Sequence, residues 1–169
     1  MLSPSQFIRY VIRPTLKAVD LWSPWAERLL FGTALQESGL VYLRQLNNGP
    51  ALGVYQMEPA THDDIWNNYL RYRPGLNQAA RRFSRVAGIP GLPRPEAGEM
   101  ATNLAYATVM CRLHYYRSPV TPIDMNAPER DAYLAKAWKR FYNTAGGKGT
   151  EDQFLRNLEH FPYISFLTD

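Results

Sequence analysis

One carboxylate in the sequence stands where acid chemistry would be favoured. Glu37 lies near the end of a mostly apolar segment that begins at Ser23-Pro24 and stops at Gly39. Ser followed by Pro is typical of a helix start, and Gly commonly ends a helix in the left-handed conformation. The helix dipole and partial burial both disfavour a charged carboxylate in the last turn, so its pKa should rise. This position predicts a general acid, which the cleavage of a glycosidic bond requires.

Two further blocks combine glycines with polar and aromatic residues. They read Gly-Val-Tyr-Gln-Met-Glu-Pro-Ala-Thr at residues 53–61 and Phe-Tyr-Asn-Thr-Ala-Gly-Gly at residues 141–147. Between Glu37 and the first of these blocks, residues 47–50 read Asn-Asn-Gly-Pro, and all of these residue types are favoured in turns. We therefore expect a loop before residue 53 that holds at most a small β-hairpin, and a helix that opens at Pro59.

Together with Glu-Ser-Gly at residues 37–39, these blocks resemble the soluble lytic transglycosylase family, within the lysozyme-like superfamily that includes goose-type lysozymes. That family shows Glu-Ser-Gly, then Gly-Leu-Met-Gln closed by Met-Pro-Ala-Thr, then Ala-Tyr-Asn-Ala-Gly. This chain departs from the pattern at Tyr55 and Glu58, where the family has Met, and at Ala107, where it has Gly. Asn103 falls in a predicted helix, as in the family. The resemblance covers residues 24–149.

The resemblance implies roles for individual residues, with Glu37 as the one catalytic residue. Gln56 would hydrogen-bond sugar on the floor of a cleft, and the hydroxyl of Tyr142 would reach the catalytic carboxyl. Tyr55 is expected as an aromatic wall of the groove, because its ring offers both a stacking face and a hydroxyl. Asn143 would cap a helix or line the groove. The substrate-binding candidates are Ser38, Tyr55, Gln56, Tyr142 and Asn143.

Residue types alone leave simpler interpretations open. Glu37 could be an exposed carboxylate at a helix end, Gln56 an ordinary loop amide, and Tyr142 a core aromatic. His62, His114 and His160 are scattered and show no spacing typical of zinc ligands. We therefore expect no metal site and no cofactor.

The number of acids separates two mechanisms. A hydrolase normally places two carboxylates across the bond, about 5–9.5 Å apart. No Asp or Glu lies between Glu37 and Gln56, the region in which goose-type lysozymes carry auxiliary aspartates. The candidates for an auxiliary carboxylate are Glu58 and Asp64. A lytic transglycosylase needs one acid, since the N-acetyl group of the substrate replaces the second carboxylate and Glu37 acts as acid and then as base.

These considerations predict a peptidoglycan-cleaving enzyme that breaks the β-1,4 bond between N-acetylmuramic acid and N-acetylglucosamine and forms a 1,6-anhydro ring. A hydrolytic muramidase of the same fold, with Glu58 or Asp64 orienting water, is the first alternative. The alternative from another class is a non-catalytic wall-binding or virion structural protein. The expected partners are peptidoglycan glycan strands and, for a packaged protein, other phage virion proteins.

Composition fits a globular protein with an anionic partner. The 169 residues are 46% hydrophobic and 20% charged, and the net charge of +4 suits bacterial cell wall, although it could also serve solubility alone. The basic residues are scattered, and no basic arm or zinc-finger spacing indicates nucleic acid binding. Cys111 is the only cysteine, so we expect a buried core thiol and no disulfide within the chain.

The features of the N-terminal segment bear on the route by which the protein would reach the cell wall. Its apolar run is broken by Arg9, Arg13 and Pro14, so it does not resemble a signal peptide, and no stretch is long enough to span a membrane. We expect synthesis in the cytoplasm of a bacterial host. Access to the wall would then come through holin release of an endolysin or packaging in a phage virion.

Helical periodicity dominates the chain and predicts an all-α, lysozyme-like single domain over residues 1–169. The family-like core spans residues 24–149, and an N-terminal helix at 4–19 and a C-terminal helix at 150–161 pack on it. Pro14 should end or kink the first of these helices. Further helices are expected at 23–38, from 59, at 77–86, at 99–116 and at 128–141, with a break at 146–149, loops at 89–98 and 118–126, and a capping box at 150–153.

Overall fold

The computed structural model describes residues 1–87, 94–143 and 147–162. It confirms the predicted all-α fold: every described helix contributes buried side chains to one hydrophobic core. Within the described part of the chain, β structure is limited to the isolated bridges Arg44–Leu52 and Leu52–Met57. The expectation of at most a small hairpin before the second block is therefore confirmed.

The described helices are labelled α1 to α7 in chain order. Two short 3₁₀ segments, Leu46–Asn48 and Ala97–Ala101, lie in the loops. The helices are α1 (Pro4–Phe7, Ile8–Ile12 and Arg13–Ala18 in one run), α2 (Pro24–Ser38), α3 (Pro59–Asp64, extended by Ile65–Tyr69 and the turn Leu70–Tyr72), α4 (Pro74–Arg82), α5 (Leu104–Tyr116), α6 (Arg130–Trp138, extended by Lys139–Asn143) and α7 (Glu151–Glu159).

Helix α2 is the central element, since twelve of its fifteen residues are buried. Its boundaries follow the prediction. The Ser23 hydroxyl accepts a hydrogen bond from the Ala26 N–H at 3.2 Å, and Pro24 occupies the first turn, where its missing donor costs nothing. Gly39 ends the helix with φ 58°, a left-handed conformation that glycine adopts without strain. These two ends fix Glu37 in the last turn.

The boundaries of several other helices differ from those predicted. Pro14 neither ends nor sharply breaks α1, because the wider π-helical turn Ile8–Ile12 precedes it. The predicted helix 77–86 starts earlier, at Pro74, and ends at Arg82. Helix α6 starts at Arg130 instead of Pro128. The capping box is confirmed, since Thr150 and Gln153 exchange side chain to backbone hydrogen bonds at the start of α7.

The predicted helix 99–116 is split in two. A 3₁₀ segment, Ala97–Ala101, is followed by α5, and Asn103 stands between them as the N-cap, with its Oδ1 accepting from the Tyr106 N–H at 3.0 Å. Asn103 therefore caps a helix and does not lie within one. Asn favours caps because its side chain competes for backbone donors. Residues 89–93 of the predicted loop at 89–98, and residues 144–146 of the third block, lie outside the described residues.

Candidate active site

A groove with a volume of about 590 Å³ opens at the C-terminal end of α2. This volume falls in the range of small-molecule and substrate clefts. The wall combines side chains from the loop before residue 53 with polar side chains from five other parts of the fold. The polar lining includes Glu37, Gln56, Glu58, Thr61, His114 and Asn143.

Glu37 is the half-buried carboxyl of this groove. Burial raises the pKa of Glu37 to about 7, and the hydrogen bond from Trp138 opposes that shift. The bond runs from the Trp138 indole Nε1 to Glu37 Oε1 at 2.8 Å. Among the described residues, no cation lies within 4.0 Å of the Glu37 carboxyl. The side chain is therefore held in place while it retains its proton near neutral pH, as a general acid requires.

A tight turn at residues 53–56 forms the groove floor beside Glu37. Gly53 has φ 73°, and a Cβ atom there would lie 2.5 Å from the Met100 carbonyl oxygen, so both conformation and space call for glycine. Leu52 and Met57 close the turn with two backbone hydrogen bonds of 3.0 Å. The turn therefore presents Gln56 to the groove in a fixed position.

Gln56 lies in the left-handed region with φ 47°, which is uncommon for a residue with a side chain. Its Nε2 donates to the Gly53 carbonyl at 2.8 Å, and its backbone N–H donates to the same oxygen at 3.0 Å. Within the described residues the Oε1 atom has no partner, so it is available to a ligand. Such local strain is typical of functional positions.

Ser38 does not bind substrate from the groove surface, contrary to the sequence-based expectation. Its side chain is buried, and its hydroxyl donates to the Val54 carbonyl at 2.7 Å and approaches the Ala34 carbonyl at 3.1 Å. It also accepts from the Leu40 N–H at 3.2 Å. Ser38 thus joins the end of α2 to the turn at residues 53–56 and fixes the distance between acid and floor.

Tyr142 lines the groove, but its hydroxyl does not bond Glu37 as predicted. It donates to the backbone carbonyl of Tyr55 at 2.7 Å. The ring stacks on Tyr115, with a centroid distance of 5.4 Å, and meets His114 edge-on at 5.1 Å. The prediction failed because a buried backbone carbonyl also needs a donor, and the Tyr55 carbonyl lies within reach. Tyr142 therefore supports the floor and not the acid directly.

Tyr55 is not a groove wall. Only 1% of the residue is exposed, its hydroxyl pairs with the Thr108 hydroxyl at 3.1 Å, and its ring packs near Phe7. In the turn at residues 53–56 its backbone carbonyl is held by Tyr142, while its side chain is directed into the core. The aromatic ring that does line the groove from a loop is Tyr42, which is 44% exposed.

Asn143 lines the groove at the end of α6 and is held by a lysine. The Lys139 ammonium donates to Asn143 Oδ1 at 2.7 Å and to the carbonyls of Gly147 and Gly149 at 2.9 Å. All three donors of the ammonium are therefore used inside the protein. Gly149 in turn packs against the Trp138 ring, where a Cβ would come within 2.6 Å. The packing of Gly149 thereby helps to hold in place the Trp138 indole that donates to Glu37.

The two candidate auxiliary carboxylates lie in different environments. Glu58 is exposed and lines the groove immediately before α3. Asp64 does not line it: the carboxylate accepts from Asn68 and forms an ion pair with Arg117, and these contacts lower its pKa. The proposal that Asp64 orients water is therefore wrong, because the helical turn directs it toward α5. Glu58 remains the one predicted auxiliary carboxylate on the groove.

The sequence analysis gave no site role to Trp138 or to His114. Trp138 is buried and donates its indole N–H to Glu37, and the need of a buried indole N–H for an acceptor was the available signal. His114, on α5, lines the groove. Burial and, next, the Arg117 charge lower the pKa of His114 to about 4, so the ring is neutral at neutral pH.

Searches for two other kinds of site gave negative results. Residues 1–87, 94–143 and 147–162 contain no group of three or more His, Cys, Asp or Glu side chains arranged to hold a metal ion. In the same ranges no helix combines the length and apolar character that a membrane span requires.

Comparisons of this chain with protein-family models, curated proteins and solved structures found no match. The function must therefore be argued from the groove, its acid and the resemblance of the three sequence blocks.

Proposed function

We propose that the chain is a peptidoglycan lytic transglycosylase that cleaves the β-1,4 bond between N-acetylmuramic acid and N-acetylglucosamine. The observation that carries the proposal is the position of Glu37, a carboxyl whose pKa burial raises to about 7, in a groove of about 590 Å³. The order and spacing of the three sequence blocks supports the same reading. A binding protein has no need to desolvate a carboxyl at the centre of its groove.

In the proposed reaction, the Glu37 carboxyl gives its proton to the glycosidic oxygen as the bond from the anomeric carbon to that oxygen breaks. The N-acetyl carbonyl oxygen of the substrate bonds to the anomeric carbon. The Glu37 carboxylate then takes the proton of the 6-hydroxyl, whose oxygen displaces the N-acetyl oxygen and closes the 1,6-anhydro ring. Glu37 is protonated again at the end, so one residue serves as acid and base.

A hydrolytic muramidase is the second candidate, and the position of Glu58 on the groove wall favours it. Glu58 would act there as the base that activates water, as in hydrolases with two carboxylates. A wall-binding or virion structural protein remains the candidate of another class.

Product analysis tests these candidates. Purified peptidoglycan would be digested in water enriched in oxygen-18, and the released muropeptides weighed by mass spectrometry. The proposal predicts products lighter by one water than reducing-end sugars, with no label incorporated. Labelled reducing ends would instead establish hydrolysis. The absence of any released product would leave a wall-binding or virion structural protein as the remaining candidate. Glu58→Gln is the matched control, because it should abolish hydrolysis but leave transglycosylation within about threefold.

The proposed phage origin stays a prediction. It rests on the sequence expectations above and can be tested in cells. Expression of the chain in a bacterium should cause lysis only when a holin is expressed with it. Lysis without a holin would contradict release by that route.

A further inference from the structure

A second cavity, of about 340 Å³, opens at the other end of α2. Residues 20–23, the first turn of α2, the last turns of α5 and the loop after α5 surround it. Trp25 and Glu37 are twelve positions apart on α2, which corresponds to about 18 Å along the axis. This cavity is therefore separate from the groove that holds Glu37, and an inference about it does not depend on the proposed function.

Arg112 is the basic residue that lines this second cavity, and it is only 5% exposed. Its Nε donates to the Leu21 carbonyl at 3.1 Å. Its guanidinium carbon lies 5.2 Å from the centre of the Trp25 ring and 5.1 Å from that of Tyr116. An arginine has five N–H donors, and the hydrogen bonds found among the described residues use only one of them.

The described residues supply Arg112 with no carboxylate oxygen within 4.0 Å, although Asp20 also lines the cavity. A buried cation without an anion is costly, and the two aromatic rings offset only part of that cost. Burial accordingly lowers the pKa of Arg112. An anion in the cavity would supply the missing partner.

The side chains that line the cavity favour one chemical class of anion. The planar guanidinium fork matches the two oxygens of a carboxylate. Trp22, Trp25 and Tyr116 provide flat surfaces for an apolar or aromatic body next to it. We propose that this cavity binds a small organic carboxylate, which pairs with Arg112 and lies against these three rings.

Benzoate is a suitable probe, with benzamide as its neutral counterpart of nearly the same shape. The full chain would be titrated with each, and the indole N–H signals of Trp22 and Trp25 followed by NMR. We expect saturable shifts with benzoate at a dissociation constant of about 1–10 mM, as its few heavy atoms allow, and none with benzamide. Absence of saturable shifts with benzoate, or equal shifts with benzamide, would overturn the proposal.

Three variants test whether the positive charge of Arg112 is the group that binds benzoate. Arg112→Met keeps an apolar stem but removes the guanidinium, and it should abolish benzoate binding. Arg9→Gln removes a charge from an exposed residue of α1 and should leave the affinity unchanged. Asp20→Asn removes a negative charge from the cavity edge and should tighten binding by roughly twofold.

The Asp20→Asn variant keeps the test decisive if Arg112→Met fails to fold. Asp20 has φ 57°, a conformation that Asn tolerates well, so this variant should fold as the parent does. Weaker or unchanged benzoate affinity in Asp20→Asn would contradict an anion site, as would unchanged affinity in a folded Arg112→Met protein.

Discussion

Two glutamates on helix α2 receive the same kind of hydrogen bond but differ in their position on the helix and in their other partners. Glu27, in the first turn, accepts from the Trp22 indole at 2.8 Å and from two nitrogens of Arg13 at 2.8 and 2.7 Å. Glu37, in the last turn, accepts from the Trp138 indole at 2.8 Å and has no cation within 4.0 Å among the described residues. An indole donor alone therefore does not decide what a buried carboxyl does.

Two physical differences separate these glutamates. The first turn of a helix favours a negative charge and the last turn disfavours it. The arginine adds a charge-assisted, bidentate contact at one end only. Glu27 consequently serves as half of an ion pair that ties α1 to α2, whereas burial raises the pKa of Glu37 to about 7 and leaves it as a proton donor. Under the proposed function, the same type of side chain stabilises the fold at one end of α2 and donates a proton at the other.

Of the changes that test this comparison, Glu37→Gln should have the largest effect on activity. The amide is nearly isosteric and can still accept from Trp138, but it cannot donate a proton to the leaving oxygen. We expect peptidoglycan cleavage to fall by at least ~10²–10⁴, the contribution of general acid catalysis. Release of soluble muropeptides from purified wall measures it, and cleavage within tenfold of the parent would contradict the role of Glu37.

Glu27→Gln should lower the stability of the fold and leave the cleavage activity nearly unchanged. Loss of the carboxylate leaves Arg13 without its bidentate partner in a largely buried pair, so we expect the free energy of unfolding to fall by about 3 kcal/mol. Cleavage per folded molecule should stay within about twofold of the parent. Urea unfolding measures the first quantity and the wall assay the second. A Glu27→Gln variant that stayed stable but lost activity would indicate that Glu27 takes part in catalysis.

The stability of the Glu37→Gln variant should depend on pH in a defined direction. The pKa of Glu37 is about 7 in the folded protein and 4.5 as its ordinary value, so the unfolded chain loses this proton first as pH rises. The parent is therefore progressively destabilised between these two values, by up to ~3 kcal/mol. The Gln variant escapes this loss and should be more stable than the parent at about pH 8, and equal to it at about pH 4.

Urea titrations of both proteins at these two pH values measure the difference. A constant difference across pH would indicate that Glu37 ionises with an ordinary pKa.

Tyr142→Phe should have the smallest effect. Removal of the hydroxyl leaves the Tyr55 carbonyl without its donor, which should lower the free energy of unfolding by about 1–3 kcal/mol. The floor that presents Gln56 should loosen, and KM should rise more than kcat falls, because the hydroxyl does not touch Glu37. Steady-state kinetics on a soluble glycan oligomer would measure both constants. A fall in kcat with unchanged KM would instead indicate direct contact with the acid.

The sequence predicted those features that depend on local backbone chemistry. Ser23 and Pro24 at one end of α2 and Gly39 at the other follow from capping rules, and they were enough to place Glu37 in the last turn. The raised pKa of Glu37 followed from the same reasoning. The all-α fold, and the near absence of strands among the residues that the structure describes, followed from periodicity and from the turn residues at 47–50.

Contacts between distant segments were beyond sequence reasoning. The directions of Tyr55 and Tyr142 depend on which backbone carbonyls in the turn at residues 53–56 need donors, and local patterns do not show this. Asp64 was placed near the groove because nothing in its own helix indicated Arg117 on α5. The indole of Trp138 reaches Glu37 across about a hundred positions of sequence, so its spacing within α6 revealed only that it is buried.

The central claim is that Glu37 keeps its proton to near neutral pH, and carbon-13 NMR of the side-chain carboxyls tests it most directly. The Glu37→Gln spectrum identifies the Glu37 signal, which would then be followed through a pH titration. We predict a midpoint of about 7 for this carboxyl. A midpoint near its ordinary value of 4.5 would contradict the account, because Glu37 would then be ionised at neutral pH and unable to act as the acid.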